Sequence, residues 1–336
     1  MVPINKNYYE YLCCPICKNS LDLIIDNEDK IGVKEGKLRC NGCSKSFPII
    51  DYIPRFIEQE NYALNFGFQW NKFSKLRSDR YNNTTNVSNT ILLRTKWNKE
   101  HLKGKLLLEC GCGAGNDTEV LLDLGANVIT FDYSNSVEAA FVNNVNSPNL
   151  LIFQGDINNI PLKENLFDIV YCHRVIQHTP NPENAFYSIL KHLKEGGELF
   201  LHSYGLNSWN FFHYHYILRP ITKRINYQII FRVLKVIGPI FYRIVGLVQK
   251  FKKYKKLKEF LIRMIPFDNL DYALINSQLT KKEKYYFSLL HVFDRLTPKY
   301  DNPSSPTTVL KWLLNKNLKR IKIRGLNPVI VTAYKL

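Results

Sequence analysis

The sequence predicts an α/β protein with a seven-stranded, mostly parallel sheet and helices on both faces. A small cysteine-bearing β module precedes the sheet, and a helical insertion interrupts it. Three observations carry this expectation. After Lys105, strand-like apolar runs alternate with helical periodicity over short connections, as a doubly wound sheet requires. Two Cys-x-x-Cys pairs stand within the first 43 residues. From Arg219 to Arg263 there are thirteen Lys or Arg against the single acid Glu259, so much of the formal net charge of +17 sits in one segment.

The 336 residues are about two domains long, and 45% hydrophobic content suffices for a sizeable core. The opening "MVPINKNYYEYLCCPICK" lacks the basic patch and apolar run of a leader. No stretch approaches the roughly 18 apolar residues of a spanning helix. A cytoplasmic protein is expected, with any surface contact at the inner face of a membrane.

Four zones follow in order. Residues 1–58 alternate apolar and polar positions around the cysteine pairs, as in "LDLIID", and predict short strands. Residues 59–104 are polar and dotted with aromatics, predicting a helical cap or linker. Residues 105–204 carry strands at "KLLLEC", "NVITFD", "LLIFQ", "FDIVYC" and "GELFLHS", with helices at "DTEVLLDLG", "SNSVEAAFVNNV" and "PENAFYSILKHLKEGG". The alternation stops over 205–304, a basic amphipathic insertion whose apolar stretches are broken by Gly238 and Pro239. It resumes over 305–336, where Ser305 as N-cap and Pro306 at the first helical position open a closing helix before a terminal hairpin.

The stretch "LLLECGCGAGN" sets Gly111, Gly113 and Gly115 just after a strand, where positive φ and close backbone approach are needed at a strand-to-helix turn. The third glycine of a dinucleotide fingerprint is replaced by Asn116. Glu109, just before the turn, would repel a phosphate and attract an ammonium. Asp132, ending the next strand, can accept hydrogen bonds from ribose hydroxyls. A ligand with a ribose and a positive group but no phosphate fits, and S-adenosylmethionine is such a ligand.

With "VITFDYS", "FQGDINNIP" and "FDIVYCHRVIQHTPNP…LKEGGELFL" following in order, Lys105 to about Tyr204 resembles class I S-adenosylmethionine-dependent methyltransferases of type 11, whose sheet is Rossmann-like. That resemblance implies methionine contacts at Glu109, Gly111 and Gly113, a ribose contact at Asp132, adenine contacts at Asp156 and Ile157, and further cofactor contacts at Gly115, Tyr133 and His173. His173 and Arg174 would lie beside the transferred methyl. His178 is the implied general base, with His202 and His291 as weaker candidates. "FGFQWNKF", with Gln69 and Trp70, resembles the cap that closes over the cofactor in related enzymes. Asp294, Arg295 and Tyr300 stand where such enzymes arrange substrate contacts.

Cys14, Cys17, Cys40 and Cys43, with 22 residues between the pairs, suit a closed structural zinc site. Their surroundings resemble the zinc ribbons that activate tRNA and protein methyltransferases, which implies a protein partner as one role for the module. Cys13 is expected to pack, and Cys110, Cys112 and Cys172 to lie in or beside buried strands. For the basic insertion, spanning 219–263, three readings stay open: a substrate lid, a contact with anionic membrane, or a nucleic-acid surface. Its Ile, Val and Leu interleaving disfavours the last. The expected function is methyl transfer to a small-molecule, sugar or lipid-linked biosynthetic intermediate. The alternatives are rRNA or tRNA methylation, or a non-catalytic scaffold that binds the same cofactor.

Overall fold

The computed structural model describes residues 6–58, 61–206, 213–251, 255–270, 279–314 and 316–336. The chain forms two compact units, one comprising Met1–Ser74, Thr85–Gly205 and Tyr300–Leu336, the other Lys75–Thr84 and Leu206–Lys299.

The first unit opens with an antiparallel meander, β1 (Leu21–Glu28), β2 (Val33–Cys40), β3 (Ser46–Ile50) and β4 (Ile53–Pro54). Asp51 and Tyr52 both take positive φ between the paired Ile50 and Ile53, the geometry a two-residue hairpin turn demands. Val33, Leu38, Phe47 and Ile49 are buried, a small core for so short a module. Then come α1 (Leu64–Lys72), α2 (Asp79–Asn82, in the second unit), α3 (Asn86–Thr95) and α4 (Lys99–Leu102).

The main sheet is built from β5 (Leu106–Cys110), α5 (Asn116–Asp123), β6 (Asn127–Asp132), α6 (Val137–Asn144), β7 (Leu150–Gln154), β8 (Phe167–His173), α7 (Pro182–Leu190) and β9 (Leu193–Ser203). After the insertion, α12 (Pro306–Leu313), β10 (Leu318–Arg324) and β11 (Val329–Lys335) complete it. The strand order is β10-β11-β9-β8-β5-β6-β7, with β5 to β9 mutually parallel and the last hairpin antiparallel. These are the seven strands expected. Side-chain alternation explains the two faces. Leu107 packs with Leu121 of α5 and Ala140 of α6, while Leu108 packs with Phe186 of α7 and Trp312 of α12. Ser305 caps α12 by accepting from the Thr308 N–H, with Pro306 behind it. α7 is shorter than its helical pattern suggests: Leu193 already pairs with Phe167, so the Lys-Glu-Gly-Gly stretch belongs to β9.

The second unit contains α8 (Tyr214–Thr222), α9 (Tyr227–Gln249), α10 (Lys255–Met264) and α11 (Lys281–Leu296). Ile230, Phe231, Leu234, Leu289 and Phe293 are buried within it, and Phe231 meets Phe293 edge-on at 5.7 Å. The Gly238-Pro239 pair does not end α9. Pro239 faces solvent, and a Cβ on Gly238 would lie 2.6 Å from the Tyr285 hydroxyl, so the glycine permits close packing there.

Candidate functional site

Chain order reverses at β5: β6 and β7 lie on one side of it, β8 and β9 on the other. In open parallel sheets the crevice at such a point, beyond the carboxyl ends of the strands, is where ligands bind. Gly111, Gly113 and Gly115 have φ of 78°, 54° and 77°, so each occupies backbone space that other residues rarely adopt. The Gly113 N–H donates to Asp132 Oδ2 at 3.0 Å, tying the turn after β5 to the end of β6. The other Asp132 oxygen accepts from the Ser134 N–H and hydroxyl, both at 2.8 Å. Burial raises the Asp132 carboxyl above its ordinary value, and these donors oppose that shift. α1 closes one side of the turn: the Trp70 indole lies 3.2 Å from where a Gly113 Cβ would stand, and Asn71 donates to the Asn135 carbonyl at 3.0 Å.

Glu109 is 2% exposed and accepts from the Thr118 hydroxyl at 2.5 Å, so its side chain joins β5 to α5. Burial, and then the nearby Asp117 carboxylate, push its carboxyl up to about 8. His173, at the end of β8, sits in a network that the sequence reading did not foresee. Arg94 of α3 donates to its Nε2 at 2.8 Å, leaving Nδ1 as the protonated nitrogen that donates to Asp117 at 2.5 Å. Tyr171 donates to the same Asp117 oxygen at 2.8 Å. Burial pushes the His173 ring below its ordinary pKa. Burial alone would raise Asp117, but His173 and Tyr171 hold it down to about 2. His202 stacks edge-on against His173 with neither ring nitrogen hydrogen-bonded among the described residues, and burial keeps it neutral. Arg174 stands at positive φ with an exposed side chain.

On the adenine side expected from the motif, Asp156 accepts from the Asn158 N–H at 2.8 Å, while Ile157 is buried in the core. Tyr133 stacks on Tyr62 at 4.6 Å, and Tyr62 meets Tyr300 edge-on at 5.1 Å. These rings make an aromatic wall that joins Tyr133, expected at the cofactor, and Tyr300, expected at the substrate, through Tyr62, which no motif marks. His178 lies in a short 3₁₀ turn, its ring 5.1 Å from Phe66 and 5.5 Å from Tyr204. Its Nδ1 donates to the Tyr300 carbonyl at 3.1 Å, and since a carbonyl only accepts, Nε2 is the basic nitrogen of the neutral ring.

Arg295 and His291, in the second unit, both bond Asp268, at 3.1 and 2.9 Å. Asp268 also accepts from Tyr214. This network ties α8 and α11 to the segment that follows α10.

The four cysteine sulfurs at 14, 17, 40 and 43 lie within 4.8 Å of one another, with Cys14 and Cys43 at 3.7 Å and Cys17 and Cys40 at 3.3 Å. A tetrahedral zinc thiolate site needs sulfurs about 3.8 Å apart, so the set suits a structural zinc. The Gly42 and Cys43 N–H groups point at Cys40 Sγ, 3.3 and 3.4 Å away, and so orient that sulfur within the set. Cys13 is buried beside the site and is not one of the four. Cys110, Cys112 and Cys172 are buried in the sheet core, where burial drives the first two thiols well above their usual range.

Comparison with known proteins agrees with this division. Residues 108–201 match the model of the methyltransferase domain family, and residues 8–51 that of Trm112p-like protein. The ubiquinone biosynthesis O-methyltransferase of Coxiella burnetii (strain RSA 493 / Nine Mile phase I) is 31% identical over 143 residues, covering 40% of this chain and 61% of that protein. The enzyme of the same name from Pseudomonas fluorescens (strain SBW25) is 28% identical over 120 residues, covering 34% and 52%. The chain thus spans about half to three fifths of the length of these curated relatives. The crystal structure of the CurJ carbon methyltransferase superposes with a TM-score of 0.44 at 14% identity, over 83% of this chain and 61% of that one. At that score the superposition carries no further weight. The chain thus carries, behind a Trm112p-like segment with four clustered cysteines, a segment that matches the methyltransferase domain family.

Proposed function

We propose that the protein transfers a methyl group from S-adenosylmethionine to a hydroxyl of a small biosynthetic intermediate, lipid-linked rather than free in water. The observation that carries this reading is the acidity of the crevice: Asp117, Asp132 and Asp156 stand around the glycine turn and the neighbouring strand ends, and the buried Glu109, protonated in the ligand-free protein, can ionise beside a cationic group. That donor set suits a ligand with cationic centres and a ribose, and it would repel a pyrophosphate. When bound, S-adenosylmethionine supplies an electrophilic methyl group on a sulfonium. In this reading the residues align and desolvate. Asp132 keeps one lone pair, on Oδ2, for a ribose hydroxyl, Asp156 and the Ile157 backbone face the adenine, and the turn at Gly111–Gly115 lets the methionine portion lie against the backbone. His178 Nε2 takes the acceptor's proton as the acceptor oxygen–carbon bond forms and the sulfur–carbon bond breaks, leaving S-adenosylhomocysteine. Relatives named for O-methylation in ubiquinone biosynthesis support a hydroxyl acceptor of lipid character.

The contact with anionic membrane expected for 219–263 belongs to the same reading. Along α9, Ile229, Val233, Val236, Ile240 and Leu247 are exposed on one face, and Arg232, Lys235, Arg243 and Lys250 flank it. An exposed apolar stripe beside a basic one suits an anionic lipid surface better than RNA. Among the described residues no helix is long and apolar enough to cross a membrane.

The deciding experiment is isothermal titration of the zinc-loaded protein with S-adenosylhomocysteine, alongside Asp132→Ala. The expected result is micromolar binding that weakens at least about tenfold in the variant, for the loss of a charge-assisted hydrogen bond. Absence of binding to the folded wild-type protein would overturn the proposal. Cofactor binding with no methyl transfer to lipid, glycan or RNA extracts would favour a scaffold, and transfer to RNA alone would replace the acceptor assigned here.

A further inference from the structure

The ribbon is built into the edge of the main sheet next to the segment assigned to adenine. That segment, residues 154–163, is held at both ends by ribbon residues. At its start, the Phe56 N–H donates to the Gln154 carbonyl at 2.9 Å, and Arg55 pairs with Gln154 as a parallel bridge. Arg55 Nη1 also donates to Gln154 Oε1 at 3.1 Å, and Gln154 Nε2 donates to the Tyr133 carbonyl at 3.2 Å. Arg55 is 7% exposed and its other terminal nitrogen reaches Glu138, so its orientation is fixed. At the far end, the Cys13 N–H donates to the Pro161 carbonyl at 2.9 Å, and Lys163 N–H to the Tyr11 carbonyl at 3.0 Å. Lys18 Nζ donates both to Asn159 Oδ1 and to the Ile160 carbonyl, each at 3.0 Å. Asp156 and Ile157 lie between these two anchors.

The second anchor is a product of the first metal knuckle. Lys18 sits at φ 61° directly after Cys17, its N–H donating to the Cys14 carbonyl at 2.9 Å, so the Cys14–Cys17 turn aims its side chain. Cys14, Phe47, Ile157 and Ile160 share one buried cluster, which couples the knuckle to the segment through packing as well as hydrogen bonds. The Cys14–Cys17 turn itself is closed by its thiolates, so the metal they bind holds its geometry.

We infer that Lys18 and Arg55 are positioning residues for the cofactor: from the ribbon they hold the 154–163 segment and the Tyr133 backbone against adenine, so that zinc in the four-cysteine site sets cofactor affinity. This rests on the assignment of Asp156 and Ile157 to adenine made above. A protein whose ribbon had lost its metal would keep the sheet and lose the adenine side of the site.

The test uses the full chain, with affinity for S-adenosylhomocysteine and for its inosine analogue, S-inosylhomocysteine, measured by titration. Lys18 is exposed, so Lys18→Ala should fold normally. It is expected to bind S-adenosylhomocysteine about fivefold more weakly and to lose part of the preference for adenine over hypoxanthine, while Lys18→Arg, which can serve both acceptors, restores both. Arg55→Gln should show the larger loss. Removal of zinc by a chelator should weaken binding further while far-ultraviolet circular dichroism of the sheet and helices persists, and added zinc should reverse it. Wild-type affinity and wild-type base preference in Lys18→Ala and in the zinc-free protein would overturn the inference and leave the cofactor assignment standing. No binding by the zinc-loaded wild type would remove that assignment and this inference together.

Discussion

Glu109 shows how a single buried group reports on the ligand. Its carboxyl is raised to about 8, by burial first and by Asp117 second, so between its ordinary pKa and 8 the folded protein holds a proton that the unfolded chain has released. Stability from this group is therefore greatest at low pH and is lost as pH rises through that window, by roughly 5 kcal/mol. The melting temperature of the ligand-free protein is expected to fall from pH 5 to 8, and to fall less in Glu109→Gln. A cationic ligand in the crevice favours the carboxylate, so its binding near pH 7 should release protons. Titration in buffers of different ionisation enthalpy reads this directly, and an enthalpy independent of buffer would remove Glu109 from the ligand's surroundings. His178 is tested differently. His178→Ala is expected to lower kcat by about 10²- to 10⁴-fold, the usual contribution of a general base, with S-adenosylhomocysteine affinity unchanged. A parallel loss of affinity would make it a packing residue between Phe66 and Tyr204 instead.

α9 shows what a helix pattern does and does not disclose. Its charge and apolar content are plain in the sequence, but Ile, Val and Leu line two of its faces. One face is buried within the second unit at Ile230, Leu234, Val245 and Val248, the other exposed at Val236 and Ile240, which are 76% and 63% exposed. Period 3.6 cannot say which face meets protein. The combined variant Ile229→Glu, Val236→Glu, Ile240→Glu should fold normally and fail to sediment with phosphatidylglycerol vesicles that carry down the wild type. Equal sedimentation of both proteins, or of the wild type with phosphatidylcholine alone, would exclude the stripe as an anionic-membrane contact. The parallel strands were legible because strands covered on both faces read as unbroken apolar runs, as in "LLIFQ" of β7. The Arg94–His173–Asp117–Tyr171 network was not, since its members come from α3, α5 and β8 and no local spacing joins them. Nor was Lys18, whose partners stand more than 140 residues on.

In the whole molecule, the catalytic-type domain is assembled around two additions of different kinds. The ribbon lies in the same compact unit as the sheet and shares its core, whereas the insertion forms a unit with a core of its own. Chain order has a consequence for synthesis. β11 lies between β9 and β10, and Val329 pairs with Ser203, roughly 125 residues earlier. At about 5–20 residues per second, a ribosome leaves the apolar edge of β9 without its neighbour for roughly 6–25 seconds. During that interval the edge is a template for mispairing with another nascent chain. The Ser304 N–H bonds the Tyr204 carbonyl at 3.0 Å and Gly205 bridges Ser304, so once the insertion has folded its two ends stand side by side at the mouth of that edge. The strand that seals the sheet then has only a short search left, and the excursion between β9 and β11 costs the growing chain far less than its length implies.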